Sequence, residues 1–208
     1  MKKMMRGALR QAKALRLRNP LLALLLLMSW SCRSNESFRG TEMPATPIAD
    51  FELQDQNGNP FKLSEQHGKV VMFFFGYTFC PDVCPVTLST WKRVQDALGK
   101  NAAQVKFVYV TVDPERDTKE KLKNHLEIFS PDFTGLTGTS EALRAVYAAF
   151  GVYIEKVNIA ESAAGYLVNH STRMFVVDQN GVLRLLLDHA SPVDDVVHDV
   201  RLLLRGKP

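Results

Sequence analysis

Between residues 69 and 85 the chain reads Lys69-Val-Val-Met-Phe-Phe-Phe-Gly-Tyr-Thr-Phe-Cys-Pro-Asp-Val-Cys-Pro85. Its first half is a continuous apolar run that ends at Gly76, and such a run is typical of a strand buried on both faces. The second half is a loop with two cysteines and two prolines, after which apolar side chains recur at helical spacing up to Leu98. This stretch therefore predicts a buried strand, a cysteine loop and a helix.

The remainder of the chain alternates between strand and helix patterns. After the cysteine helix come one strand, two helices, two further strands and a last amphipathic helix. They are predicted at residues 105–112, 117–129, 140–150, 174–177, 182–187 and 193–204. A βαβ half followed by a ββα half predicts an α/β, thioredoxin-like fold, in which helices flank a central mixed sheet.

A β-hairpin extension is predicted ahead of the buried strand. The turn signal Asn57-Gly-Asn59 separates two short apolar patterns there, and such a hairpin could cover one edge of the sheet. We therefore predict one folded domain at residues 48–208, because 208 residues with 46% apolar content suffice for a single core and a tail. Residues 33–47 are polar and show no periodicity, so we expect a flexible tether.

The first 32 residues have the layout of a targeting segment. Seven Lys and Arg and no acid precede an apolar run at residues 21–28, which Cys32 follows closely. The run is shorter than the roughly 20 residues of a membrane-spanning helix, so a permanent transmembrane anchor is the weaker interpretation. We expect an exported protein that is tethered by its N-terminus to the outer face of the bacterial cytoplasmic membrane, on the periplasmic or extracellular side.

Cys32 is a candidate lipidation site. A cysteine directly after a small residue at the end of such a run is where bacterial lipoproteins are cleaved and lipidated, although Ser29 and Trp30 fit the usual consensus imperfectly. Two alternatives stay open. Cleavage beyond Cys32 would discard the thiol, and an uncleaved short helix would retain the whole segment.

The net positive charge of the chain comes from the targeting segment. The formal net charge is +4, but seven of the 26 Lys and Arg lie in residues 1–32, which leaves 19 basic against 22 acidic residues elsewhere. Affinity for nucleic acid depends on clustered Lys and Arg that neutralise phosphates. We therefore expect no nucleic-acid partner.

The cysteine pair is suited to metal binding or to redox exchange. Cys84 precedes Pro85, and because proline is favoured at the first helical position, we expect the helix to begin at Pro85. Both thiols then lie near a helix N-terminus, whose positive dipole end favours thiolate and lowers the cysteine pKa. The three residues between Cys80 and Cys84 still permit a disulfide, so a chelate, a redox pair and a structural disulfide all stay open.

His170 is the candidate third ligand. It lies in Asn169-His-Ser171, just before the final predicted hairpin, and in a thioredoxin-like fold this loop packs beside the cysteine loop, where thioredoxins have a cis-proline. Soft thiolates select Cu(I) and imidazole suits Cu(II), so two cysteines and one histidine can serve both oxidation states. Taken alone, the histidine would more often be an ordinary turn residue. With the cysteine pair, Cys80, Cys84 and His170 predict a copper site.

Three motifs of the chain resemble those of the Sco/SenC copper-chaperone family. They are Tyr77-Thr-Phe-Cys-Pro-Asp-Val-Cys-Pro85, Val112-Asp-Pro-Glu-Arg-Asp-Thr118 and Asn169-His-Ser171, and the similarity extends over roughly residues 45–205. The resemblance implies a thioredoxin-like fold and one copper ion held by the two cysteines and the histidine. It also implies a role in assembling the binuclear copper centre of cytochrome c oxidase.

The same resemblance implies a place for Asp113 near the cysteine loop, where it could influence the copper ligands without being one. The chain departs from the family at two points. It has Gly165-Tyr166 where members often have an acid shortly before the histidine, and Gln179 where a proline often follows the next aspartate. Neither departure touches a proposed ligand.

Three functions fit these residues unequally. In the first, a copper metallochaperone passes its ion to the copper-bearing subunit of cytochrome c oxidase, or to another copper chaperone, without enzymatic turnover. In the second, Cys80 and Cys84 form a thiol-disulfide oxidoreductase that keeps target cysteines reduced. A peroxiredoxin-like peroxidase is the weakest, because Tyr77-Thr-Phe-Cys80 lacks the Thr/Ser-x-x-Cys setting of a peroxidatic cysteine.

Overall fold

The computed structural model describes residues 36–159 and 165–206. The predicted targeting segment at 1–32, with Cys32, and the first part of the predicted tether lie outside the described residues. Ser37–Pro208 form the compact unit that contains the predicted site. Within the described ranges, no helix is both long enough and apolar enough to cross a membrane.

An eight-stranded mixed sheet forms the centre of the fold. Its strands are β1 (Thr41–Pro47), β2 (Glu52–Asp55), β3 (Pro60–Lys62), β4 (Val70–Gly76), β5 (Val105–Thr111), β6 (Thr134–Thr137), β9 (Arg173–Val177) and β10 (Val182–Asp188). They are ordered β1-β10-β9-β4-β5-β6-β2-β3. The pairs β4/β5 and β5/β6 are parallel, whereas the other neighbours are antiparallel.

Helices and a second, two-stranded sheet complete the domain. The α-helices are α1 (Val83–Leu98), α2 (Lys119–Glu127), α3 (Ser140–Phe150) and α4 (Val193–Leu204), and the smaller sheet pairs β7 (Ile154–Asn158) with β8 (Tyr166–His170). Short 3-10 turns occupy Ser64–Gln66 and Gly99–Gln104. The α/β, thioredoxin-like prediction is confirmed by this mixed sheet and its flanking helices.

Strand β4 is buried along its whole length, because apolar layers cover both faces of the sheet. Successive side chains of a strand point to opposite faces. Met72 and Phe74 pack into one apolar cluster with α1, α2 and α4, whereas Phe73 and Phe75 pack into another with α3 and the β2–β3 hairpin. The strand that leads into the cysteine loop is thus held rigidly from both sides.

The predicted hairpin is present, and it lies at one edge of the sheet. Strands β2 and β3 pair antiparallel, and β2 also pairs with β6.

The predicted start of the cysteine helix was two residues late, since α1 begins at Val83 instead of Pro85. The difference has a simple cause: the first N–H groups of a helix have no intrahelical acceptor, so a proline in the first turn loses no hydrogen bond.

The prediction of a flexible tether up to residue 47 was wrong for its second half. Thr41–Pro47 form the edge strand β1, which pairs antiparallel with β10 through an irregular register. The backbone N–H groups of Arg39 and Gly40 donate to the buried Asp199 carboxylate at 2.9 and 2.8 Å. The segment lacks an apolar pattern because an edge strand with exposed side chains is held mainly by backbone hydrogen bonds.

Candidate metal centre

Three separate elements bring the predicted ligands together. Cys80 lies in the loop after β4, Cys84 lies in the first turn of α1, and His170 is the last residue of β8. Their sulfur and ring nitrogen atoms all lie within 4.8 Å of one another. The distance between Cys84 Sγ and His170 Nε2 is 3.8 Å. A small metal ion placed between these atoms could therefore contact all three side chains after small adjustments.

The orientation of the His170 ring is set by its surroundings. Its Nδ1–H donates to the carbonyl oxygen of Ser171 at 3.0 Å, which leaves the lone pair of Nε2 facing the cysteines. The rings of Phe74 and Tyr77 lie edge-on to the imidazole, at centroid distances of 6.0 and 5.9 Å. His170 thus ends a strand rather than lying in a loop, so its position is fixed by the pairing of β8 with β7.

Both cysteines are free thiols, but they differ in exposure. Cys84 is completely buried and Cys80 is half-buried. A hydrogen bond from the Cys84 thiol lowers the pKa of Cys80 far below its usual value, and backbone hydrogen bonds strengthen the effect against the opposing influence of burial. That same hydrogen bond, together with burial, raises the pKa of Cys84. A thiolate is therefore favoured at Cys80 over Cys84.

Gly76 allows the Tyr109 hydroxyl and Cys84 Sγ to lie close to its own backbone beneath the site. A Cβ atom at this position would lie 2.6 Å from the Tyr109 hydroxyl oxygen and 2.8 Å from Cys84 Sγ, closer than real Cβ atoms come. Burial raises the pKa of the Tyr109 hydroxyl well above its usual value, and the nearby cysteines raise it further. Tyr109 therefore stays protonated and can donate a hydrogen bond.

Asp113 makes its contacts with the strand that carries His170. It is completely buried, it pairs with the Arg116 guanidinium (Nε to Oδ2, 2.5 Å), and it accepts a hydrogen bond from the Tyr166 hydroxyl at 2.7 Å. The Arg116 guanidinium also lies over the Tyr166 ring, 3.7 Å from its centroid, and over the exposed ring of Phe79 at 5.1 Å. Asp113 is thus connected to β8 and, through Arg116, to the cysteine loop.

Asp117 anchors the cysteine loop, a role that the sequence reasoning missed. The Thr78 hydroxyl donates to this buried carboxylate at 2.6 Å, the Thr78 N–H donates at 3.1 Å, and the Thr111 hydroxyl donates at 2.7 Å. Burial raises the pKa of Asp117, while these hydrogen bonds act in the opposite direction. Its place in the Val112–Thr118 motif was visible, but nothing in the spacing shows that it reaches across to Thr78.

The sequence reasoning also missed Tyr109 as a neighbour of the site. In the sequence it is one apolar position of a central strand, and only the parallel pairing of β4 with β5 places it next to Gly76 and Cys84. No sequence signal identifies this neighbourhood, because residue 109 is 25 positions from Cys84.

The fold and the site together define a class: a thioredoxin-like domain with a cysteine pair and a histidine converging at one end of its central sheet. A family model described as SCO1/SenC matches residues 40–205. The chain therefore belongs to the SCO1/SenC family, as the motif resemblance predicted.

Individual relatives agree with this assignment. An "SCO2-like protein" of Rickettsia felis is 38% identical over 132 residues, which is 64% of this chain and 64% of that protein. The structure of Bradyrhizobium japonicum ScoI with copper bound is 33% identical, covers 77% of this chain and 100% of its own, and has a TM-score of 0.70. Apo Sco1 from Thermus thermophilus is 39% identical, covers 82% of this chain and 99% of its own, and has a TM-score of 0.73.

Proposed function

We propose that this chain is a copper metallochaperone that binds one copper ion through Cys80, Cys84 and His170. We further propose that it assists assembly of the binuclear copper centre of cytochrome c oxidase. The observation that carries the proposal is the convergence of the three ligand atoms within 4.8 Å. A relative that is 33% identical has been solved with copper bound, and this supports the choice of metal.

The donor set suits an ion that must be both held and released. Thiolates select Cu(I), and the imidazole extends the site to Cu(II). Cys84 is fully buried, whereas Cys80 and His170 are only partly covered, so an acceptor can approach from their side. Copper would then leave by stepwise ligand exchange, in which an acceptor ligand replaces one of the exposed ligands before the buried one is released.

An exposed apolar rim next to the site supports delivery to a protein acceptor. Phe79 is 49% exposed and Val86 is 47% exposed, although both are large apolar residues that flank the cysteines. Aromatic residues are enriched where proteins dock. We propose that the copper-bearing subunit of the oxidase, or another copper chaperone, contacts this rim during transfer.

Thiol-disulfide exchange is the second candidate function. It is favoured by one observation, the free pair in which Cys80 is accessible and Cys84 is buried behind it, and the lowered pKa of Cys80 adds support. Cys80 would attack the target disulfide, and Cys84 would then displace the target from the mixed disulfide. This activity would leave the acceptor cysteines reduced, so the two functions are compatible.

An anaerobic copper titration of the reduced protein tests the main proposal. We expect one equivalent of Cu(II) with a thiolate-to-copper charge-transfer band in the unsubstituted protein. We expect His170→Ala to lose that band and to bind Cu(II) at least about tenfold more weakly, a loss typical of disturbed metal sites. The matched control is His67→Ala, which removes an exposed histidine and should leave the titration unchanged.

The same titration can contradict the proposal. If the unsubstituted protein binds neither Cu(I) nor Cu(II) stoichiometrically, the metallochaperone is excluded and dithiol exchange becomes the leading function. An insulin-type reductase assay on His170→Ala separates the two further, because dithiol exchange should not require the imidazole.

A further inference from the structure

Tyr109 contributes a buried hydroxyl beside the candidate copper site. The residue lies in β5, its side chain is completely buried, and its hydroxyl has no hydrogen-bond partner of good geometry among the described residues. Buried polar groups are nearly always hydrogen-bonded, because an unpaired one has lost its water without compensation. An unpaired buried hydroxyl therefore needs an explanation in the function of the molecule.

The sulfur of Cys84 is the acceptor that the structure offers. Both the Tyr109 hydroxyl and Cys84 Sγ lie over Gly76, each less than 3 Å from the place where a Cβ atom of that glycine would be. The two groups are in contact, although their alignment falls short of a well-formed hydrogen bond in the metal-free protein. The ring of His125 packs against Tyr109, with centroids 6.1 Å apart, and its buried Nε2 also lacks a partner among the described residues.

Copper binding changes what Cys84 can accept. In the metal-free protein, Cys84 is a buried free cysteine. When copper binds, both cysteines become thiolates, and a thiolate accepts hydrogen bonds far better than a thiol does. The Tyr109 hydroxyl then faces a better acceptor than it has in the metal-free protein.

We propose that Tyr109 is a positioning residue whose hydroxyl donates a hydrogen bond to the copper-bound sulfur of Cys84 and thereby favours Cu(I) over Cu(II). The proposal rests on the copper function proposed above. A hydrogen bond to a coordinating sulfur withdraws electron density from it, so the sulfur donates less charge to Cu(II). Cu(II) needs that donation more than Cu(I) does, and the balance between the two oxidation states shifts toward Cu(I).

The test compares Tyr109→Phe with the unsubstituted full chain loaded with copper. We expect the thiolate-to-Cu(II) charge-transfer band to move to longer wavelength, because an unbonded sulfur is oxidised more easily. We also expect the ratio of Cu(I) to Cu(II) affinity to fall about tenfold, which corresponds to a reduction potential lowered by about 59 mV for a one-electron couple.

Tyr147→Phe is the matched control. Tyr147 also carries a largely buried hydroxyl, but this hydroxyl donates to the carbonyl oxygen of Thr111 at 2.6 Å, and the charges that act on it are those of Asp113 and Asp117. The control should lower the melting temperature of the metal-free protein and leave the copper spectrum unchanged. Tyr109→Phe should do the opposite: the metal-free protein loses no well-aligned hydrogen bond, so its melting temperature should not fall.

The possible outcomes separate this proposal from the one on which it rests. If the unsubstituted chain binds no copper, both proposals fail. If it binds copper and Tyr109→Phe has an unchanged band and an unchanged affinity ratio, the role of Tyr109 is refuted while the copper function stands. A Tyr109→Phe protein that melts lower without copper would show that the hydroxyl serves the fold, and this would also overturn the proposal.

Discussion

Cys80 and Cys84 are four residues apart, yet their environments give them different chemistry. Cys80 is reachable from solvent and has a lowered pKa that favours its thiolate, whereas Cys84 is buried against β4 and β5. Burial penalises charge, and a hydrogen bond from one thiol to the other concentrates that charge on a single sulfur. The exposed residue is therefore suited to exchange with a partner and the buried residue to retention of the ion.

A side chain at Gly76 would disturb the packing around Cys84 directly. In Gly76→Ala, the new Cβ must displace Cys84 Sγ and the Tyr109 hydroxyl, which are both buried. Overpacking of this kind costs about 1–3 kcal/mol of unfolding free energy. We expect that loss in chemical denaturation of the metal-free protein, together with weaker copper binding in titration.

Gly68→Ala is the control for that substitution. Gly68 has a φ of 88° and open space around it, so alanine strains the backbone without touching the site. It should lower stability and leave copper affinity unchanged. Equal copper affinity in Gly76→Ala and the unsubstituted protein would contradict the close approach described here.

At the scale of elements, the site depends on pairings between segments that are far apart in the chain. The parallel pairing of β4 with β5 brings Tyr109 beneath Cys84, and Asp117 ties the start of the cysteine loop to the end of β5. The contacts of Asp113 and Arg116 with Tyr166 hold β8, which ends at His170. Each ligand is thus positioned by an element that is itself fixed by hydrogen bonds.

The edge strand β1 offers a test at the same scale. In Asp199→Ala, the N–H groups of Arg39 and Gly40 lose their acceptor, which should cost about 1–3 kcal/mol of unfolding free energy. Hydrogen exchange at residues 41–47 should become faster, while copper titration should not change. Asp195→Ala, which removes only an exposed ion pair with Arg39, should cost less than about 1 kcal/mol. Unchanged exchange in Asp199→Ala would show that β1 is held by other contacts.

At the scale of the whole molecule, the proposed copper delivery also requires that the protein reach the compartment of its acceptor. We propose that the chain is exported and tethered to the outer face of the cytoplasmic membrane, since the first 32 residues combine seven basic residues, an apolar run and Cys32. A tethered domain would search a surface instead of a volume for its acceptor, which raises the effective concentration of the partners.

Membrane fractionation of cells that express the full chain tests this proposal. Wild-type protein should sediment with membranes and be accessible to protease added to the outer face. Cys32→Ser should move to the soluble exported fraction if the cysteine is lipidated. Retention of Cys32→Ser on the membrane would indicate an uncleaved helix, and recovery of wild-type protein in the cytoplasm would contradict export altogether.

The sequence by itself was sufficient for the central strands, the cysteine loop, the helices and the edge hairpin. These elements have strong periodicity, because they bury apolar side chains on a regular lattice of helix or strand positions. Helix α3 (Ser140–Phe150) and helix α4 (Val193–Leu204) agree with prediction to the residue. The motifs also identified the three candidate ligands and the family.

Only the tertiary structure decided the rest. Strands β1, β6, β7 and β8 are short or exposed, so their existence depends on backbone pairing with distant partners and not on a pattern of their own. For the same reason the sequence placed His170 in a loop, whereas the pairing of β7 with β8 makes it the end of a strand. The buried neighbours of the cysteines, Tyr109 and Asp117, come from strand register and long-range hydrogen bonds. Such contacts leave no local trace, because they join residues through space rather than along the chain.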